Sequence, residues 1–199
     1  MRKSIYLLIT AILVIGAVSC KKDKNGNDSS YATGEINAVD LGLSVLWADR
    51  NLGAGNPMDI GDCFAWGETT PRPYNSFADP YVFDGSITPT KLSGNCDAAE
   101  TLLKDGWRMP TKKECEELKT LEKEFITKNG KNIGQKVSGN GNSISIPYPD
   151  PNSNSNYINI WTSERLNDPL WAYICYSVDY VGQSRREYSN PIRPVKDKP

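Results

Sequence analysis

The chain of 199 residues contains no histidine. It therefore lacks the side chain that most often serves as general base, proton shuttle or metal ligand. Ser-His-Asp and Cys-His catalytic arrangements are excluded outright. Net charge is small: the formal value is −1, and losing a leader that carries Arg2 and Lys3 but no acid would make it −3. Nothing here supplies the clustered Lys and Arg that nucleic acid requires. The pairs Lys21-Lys22 and Arg185-Arg186 are too short to do so. The five cysteines show no CxxC or other metal-ligand spacing, so no zinc site is expected. A glycine-rich phosphate loop between strand and helix is also lacking. No metal, no cofactor and no nucleic-acid partner are expected.

The one long apolar run, Ile5 to Val18, is too short to cross a bilayer but suits the core of an export signal. It follows Arg2-Lys3 and ends in Ala17-Val18-Ser19-Cys20, which resembles a lipobox. That resemblance implies cleavage before Cys20 and a diacylglyceryl cysteine with palmitate-type chains, enough for stable membrane anchoring. The plainer alternative is an ordinary export signal with an incidental cysteine. Residues 21–34, KKDKNGNDSSYATG, carry no large aliphatic side chain and cannot repay the entropy of ordering. A flexible tether of this length spans roughly 20 Å. The expected organisation is a signal peptide over 1–19, a lipidated tether over 20–35 and one domain over 36–199.

Capping signals place a helix from Thr111 to about Lys128, with Thr111 and Glu114 as a capping box and Gly130 as the stop. Cys115, Leu118, Leu121 or Glu122, and Phe125 would share its apolar face. A second, shorter helix is predicted from Asp97 to Lys104. Strand patterns occupy 39–41, 45–47, 144–148, 157–162, 171–178 and 192–195. Helices mid-chain with strands on both sides predict an α+β fold. The stretch from Pro71 to Pro89 is predicted to be an irregular loop.

Five motifs then fall in a recognisable order. They are Val39-Asp40-Leu41-Gly42-Leu43-Ser44-Val45-Leu46-Trp47-Ala48; Asn51-Leu52-Gly53-Ala54 with Gly61-Asp62-Cys63-Phe64-Ala65-Trp66-Gly67-Glu68-Thr69; Gly106-Trp107-Arg108-Met109-Pro110-Thr111; Trp161-Thr162-Ser163; and Ile192-Arg193-Pro194-Val195. Together they resemble the major paralogous domain family of Gram-negative envelope lipoproteins. The resemblance implies a C-type-lectin-like domain, with two helices and short, mainly antiparallel strands, on an outer-membrane lipoprotein, periplasmic or surface-exposed. It also implies a distant relation to formylglycine-generating enzymes. Their catalytic cysteines fall near the C-terminus, where only Cys175 stands here, so the activity is not carried over. The calcium-site signatures of sugar-binding C-type lectins are missing. Asp150, Asn152, Asn154 and Asn156 alternate at a spacing that suits oxygen ligands for calcium, but a hydrophilic loop is the better reading.

Most motif residues have structural work to do. Trp47, Trp66, Trp107 and Trp161 are expected as core anchors, and Gly42, Gly53, Gly61 and Gly67 as turns with positive φ. Pro110 precedes the helix, Arg193 belongs to the closing motif, and Arg108 is expected to meet Glu68 or a backbone carbonyl. Cys63, Cys96, Cys115 and Cys175 either pair, in one of three connectivities, or serve as small buried hydrophobes. The segment 148–188 concentrates Tyr, Trp, Asn and Arg, which join contact area to hydrogen bonding. Its candidate ligand-binding residues are Tyr148, Asn154, Tyr157, Arg165, Asn167, Trp171, Tyr180, Arg185, Arg186 and Tyr188. Some of these aromatics should instead face inward, with Trp171, Tyr173 and Cys175 on one strand face and Ala172, Ile174 and Tyr176 on the other. The leading expectation is a non-catalytic, monomeric binding or adhesion module that meets a glycan, a peptide or a surface protein. A structural subunit of a surface assembly is the first alternative and an enzyme the second.

Overall fold

In the structure, a computed structural model, residues 36–77, 89–150 and 156–199 are described. Cys20, the tether, Asn152 and Asn154 lie outside them. Strands dominate and two short helices sit mid-chain, an α+β arrangement. In chain order the elements are β1 (Ala38–Val39), β2 (Val45–Ala48), β3 (Cys63–Phe64), α1 (Ala98–Leu103), β4 (Trp107–Arg108), α2 (Lys112–Glu117), β5 (Glu122–Lys128), β6 (Lys131–Gly139), β7 (Asn142–Pro147), β8 (Ile160–Arg165), β9 (Trp171–Ser177), β10 (Tyr180–Arg185), β11 (Asn190–Pro191) and β12 (Val195–Asp197).

The two ends of this span meet in one sheet of order β1-β2-β12-β4. Trp47 lies opposite Val39 on one side and Val195 on the other, so the first and last motifs share a ladder. A second sheet runs β10-β9-β8, a third β5-β6-β7, and β11 pairs with β3. The pairs in all four sheets are antiparallel.

The helix predicted over 111–128 is cut short. Its start is as expected: Thr111 Oγ1 accepts from the Glu114 amide at 3.2 Å, and Glu114 Oε2 accepts from the Thr111 amide at 2.7 Å. After Glu117 a single 3-10 turn over Leu118–Thr120 ends the helical path, and Glu122–Lys128 is the strand β5. Turn chemistry decides this. Asn129 and Gly130 have φ of 52° and 76°, and Asn140 and Gly141 have 52° and 74°. Two Asn-Gly turns with both residues left-handed are the tight hairpin type that matches strand twist. They fold 122–147 into a three-stranded meander. Phe125, predicted on the helix's apolar face, is instead 56% exposed on β5. The shorter helix stands as predicted, with Asp97 Oδ1 accepting from the Glu100 amide at 3.0 Å.

Two apolar clusters fill the interior. One gathers Trp47, Val45, Leu118, Val137, Ile146, Ile160 and Val195 between the terminal sheet, α2 and the meander. The other gathers Leu52, Phe64, Trp66, Leu92, Met109, Trp161 and Ile174 around α1 and β8–β9. Trp47, Trp66 and Trp161 are fully buried and Trp107 nearly so, as the motifs imply. Gly61 shows why its motif needs glycine: φ is 71°, and an added Cβ would stand 2.3 Å from the Leu52 carbonyl oxygen. The Pro110 carbonyl accepts from the Ser163 amide at 2.7 Å, joining the third motif to the fourth.

Of the two partners expected for Arg108, the backbone carbonyl is found and Glu68 is not. Arg108 meets Glu114 at 2.8 Å and Asp197 at 2.6 Å, and donates to the Met109 carbonyl at 3.2 Å. Those charge-assisted bonds raise its pKa. Glu68 is engaged by Arg72 at 2.6 Å instead. The capping glutamate thus has a second task, tying α2 to the β4–β12 ladder. Arg193 is fully buried, donating to Asn51 Oδ1 at 3.2 Å and to the Ser145 carbonyl. Burial lowers its pKa to about 9.

Candidate ligand-binding face

The sheet β10-β9-β8 positions four of the candidates singled out between 148 and 188, Arg165, Trp171, Tyr180 and Arg185. Its register separates them into two groups. Tyr180 opens β10 beside the β9 end at Ser177, whereas Arg185 lies opposite Trp171 at the other end. Five residues of strand set Tyr176 and Trp171 about 16 Å apart. The sequence places these groups in one region, but the pleat and hairpin place them at opposite ends of a sheet.

At the first end, three tyrosines form a shelf. The rings of Tyr176 and Tyr180 are near-parallel, with centres 6.2 Å apart and planes inclined by 8°. The Tyr157 ring stands 5.6 Å from Tyr176, tilted by 54°. Tyr157 is 51% exposed and Tyr180 61%. Tyr176 is half-buried, donates its hydroxyl proton to the Gln183 carbonyl at 2.8 Å, and has its pKa raised, chiefly by burial. Below it, Asn159 Nδ2 donates to the Tyr74 hydroxyl at 2.8 Å, bringing the 72–77 loop against the sheet.

At the second end the arginines are mostly structural. Arg165 donates to the carbonyls of Pro89 at 3.2 Å, Leu166 at 2.6 Å and Asn167 at 3.3 Å, and so pins its own loop. Asn167 is exposed on that loop and Trp171 is half-buried at the start of β9. Arg185 is exposed and ion-paired with the buried carboxylate of Glu187. Two candidates leave the surface altogether. Arg186 is fully buried, donates to the Pro169 carbonyl and stacks 4.7 Å from the Trp66 ring centre. Tyr148 belongs to the first core cluster at 2% exposure, and burial pushes its pKa up to about 12. Neither can meet a ligand from solvent in this conformation. Their chemistry suited a recognition surface, but their neighbours claim them for the core.

Tyr188 makes a separate pair, edge to face with Phe77 at 5.8 Å and 78°. Phe77 and Tyr74 escaped the sequence reading. Both come from a long loop without periodicity, and nothing local signals which strand it docks against. Tyr176 shares its β9 face with buried Ala172 and Ile174 and packs against the second core cluster with its ring half open.

Acid-base and thiol chemistry point elsewhere. Asp97 is buried, and desolvation raises its pKa to about 6, but its two oxygens accept from the Glu100 and Met109 amides as a helix cap. Cys63, Cys115 and Cys175 are free, buried thiols. Burial pushes Cys63 up to about 12 and Cys115 well above its ordinary value, so neither offers a thiolate at neutral pH. Among the described residues no three His, Cys, Asp or Glu side chains gather as metal ligands. An open cleft of about 720 Å³ lies away from the shelf, against Leu41, Thr120, Leu121, Lys136 and Asn142. Among the described residues no helix is long and apolar enough to cross a membrane. Comparison with known protein families, with curated proteins and with solved structures finds no match.

Proposed function

We propose that this chain is a lipid-anchored cell-envelope protein whose domain binds a ligand without transforming it, on a C-type-lectin-like scaffold of the major paralogous domain family. One observation carries the binding reading: the exposed tyrosine shelf of Tyr157, Tyr176 and Tyr180 on the β8–β10 sheet. Large rigid aromatic side chains, half in water and seated on regular structure, lose little entropy on contact. The scaffold reading is supported by the closing of the terminal strands β2 and β12 on each other, with two helices mid-chain. The non-catalytic reading is supported by the lack of histidine, by the capping role of Asp97 and by the raised pKa of Cys63 and Cys115. The anchor reading rests on the lipobox-like Ala17-Val18-Ser19-Cys20.

The test is a glycan and protein array probed with the full chain in detergent micelles. Saturable capture of at least one ligand class is the expected result, and an empty array contradicts the reading. A second reading has its own observation. The seven-residue strand β5 forms one edge of its sheet and exposes Phe125, and such an edge is a template for pairing with another chain. An accessory subunit of a surface assembly would use it. Cross-linking on intact cells that joins Phe125 variants carrying a photoreactive group to a larger complex would favour that reading.

A further inference from the structure

We infer that the shelf of Tyr157, Tyr176 and Tyr180 takes a neutral carbohydrate, with a C–H face of its pyranose rings laid on the tyrosines. This rests on the binding reading and names its ligand class. The shelf has a floor and one wall. Tyr176 and Tyr180 give near-parallel faces 6.2 Å apart, and Tyr157 rises beside them at 54°. Gly182 on the neighbouring strand makes the floor possible. A Cβ there would stand 2.7 Å from Tyr176 Cδ2 and 3.0 Å from Tyr180 Cε1. Glycine within a strand often marks such a close approach. Tyr176 is also held in place, its hydroxyl donating to the Gln183 carbonyl at 2.8 Å. A ring fixed before binding loses little freedom on contact.

The chemistry of the shelf selects among ligands that stack. Aromatic faces are electron-rich and attract weakly positive hydrogens. A pyranose offers a face of such C–H groups, with its hydroxyls at the rim where they keep their water. Nucleobases also stack on tyrosine, but they bring phosphates that need a cationic groove. The cations around the shelf are engaged: Arg185 with Glu187, Arg165 with the carbonyls of its own loop, and Lys123 with Asp179, the residue before Tyr180, at 2.5 Å. The ring-stacked cations Lys112, Arg186 and Lys196 sit on Tyr173, Trp66 and Trp107 instead. A cationic ligand would want an aromatic cage, and one wall is not a cage. An apolar peptide anchor would want a pocket that desolvates it fully, whereas Tyr157 and Tyr180 stand half in water.

The full chain, held in lauryldimethylamine oxide micelles that contain no sugar, is titrated calorimetrically with cellohexaose, mannohexaose and xylohexaose. At least one should bind with a Kd tighter than about 1 mM, Tyr180→Ala should weaken it by about tenfold or more, and Tyr180→Phe should stay within about threefold. Tyr180 is largely exposed, so both variants should keep the far-ultraviolet circular dichroism and the cooperative urea unfolding of the unchanged chain. The inference is overturned if none of the three binds, if Tyr180→Ala binds as the unchanged chain does, or if Tyr180→Phe loses as much as Tyr180→Ala. Capture of a protein by the array, with all three hexaoses silent, would leave the binding reading standing and remove the carbohydrate.

Discussion

Trp66 and Trp161 are tied crosswise: the Trp66 indole donates to the Thr162 carbonyl at 2.8 Å, and the Trp161 indole donates to the Phe64 carbonyl at 2.8 Å. Each ring thus locks the backbone beside the other, joining the β3 motif to β8, an edge strand of the sheet that carries the shelf. Trp47 is equally buried, but its indole nitrogen has no hydrogen-bond partner among the described residues. The two kinds of tryptophan should therefore respond differently to loss of the N–H. Trp161→Phe loses the indole bond to the Phe64 carbonyl as well as volume and should cost about 3 kcal/mol, against about 1–2 for Trp47→Phe, which loses volume only. Urea unfolding of the two variants checks this, and equal losses would contradict the crosswise tie.

Glycine replacement separates backbone conformation from crowding. At Gly130 an added Cβ meets nothing within 4 Å, so only its φ of 76° resists. Gly130→Ala should cost about 1–2 kcal/mol. At Gly61 the same positive φ is joined by a Cβ only 2.3 Å from the Leu52 carbonyl oxygen. Gly61→Ala should cost well over that, or prevent folding. Urea midpoints that place Gly61→Ala level with Gly130→Ala would show that the turn can shift.

The pH dependence of stability should carry the mark of Asp97. Burial raises its pKa from 3.8 to about 6. The folded state then holds this proton more tightly than the unfolded chain, so the stabilisation is fully present below about 3.8 and is lost as pH rises through about 6. Glu114 and Asp49, whose pKa values are lowered, act with the opposite sign, but below about pH 4.5. No histidine titrates in between. The unfolding free energy from urea titration should therefore fall from about pH 4.5 to about pH 6.5 by an amount on the order of 3 kcal/mol or less, and the midpoint with it. Asp97→Asn should flatten that slope. A midpoint that rises across the window, or a slope unchanged in Asp97→Asn, would contradict the assignment.

Much of the scaffold was legible because its signals are local. The capping box at Thr111 and Glu114, the cap at Asp97, the four motif glycines and the four buried tryptophans all stand where residue type and spacing put them. The misread segment, 122–128, had helical spacing of Leu121 and Phe125 but was followed by Asn129-Gly130, the stronger signal. The candidate face was legible only as a composition. Tyr157 and Tyr180 are exposed, whereas Tyr148 and Arg186 are sealed inside. Which way a tyrosine or arginine turns depends on neighbours distant in sequence, such as Trp66 for Arg186 and Tyr74 for Asn159. No periodicity encodes those contacts.

The measurement closest to the central claim compares ligand capture by the full chain with capture by a variant carrying Tyr157→Ala and Tyr180→Ala. Arg165 and Trp171 stay untouched, because Arg165 holds three loop carbonyls and Trp171 is half-buried at the start of β9. The account predicts a variant that unfolds as cooperatively as the unchanged chain yet loses about tenfold or more in apparent affinity. Undiminished capture by a folded variant would contradict it.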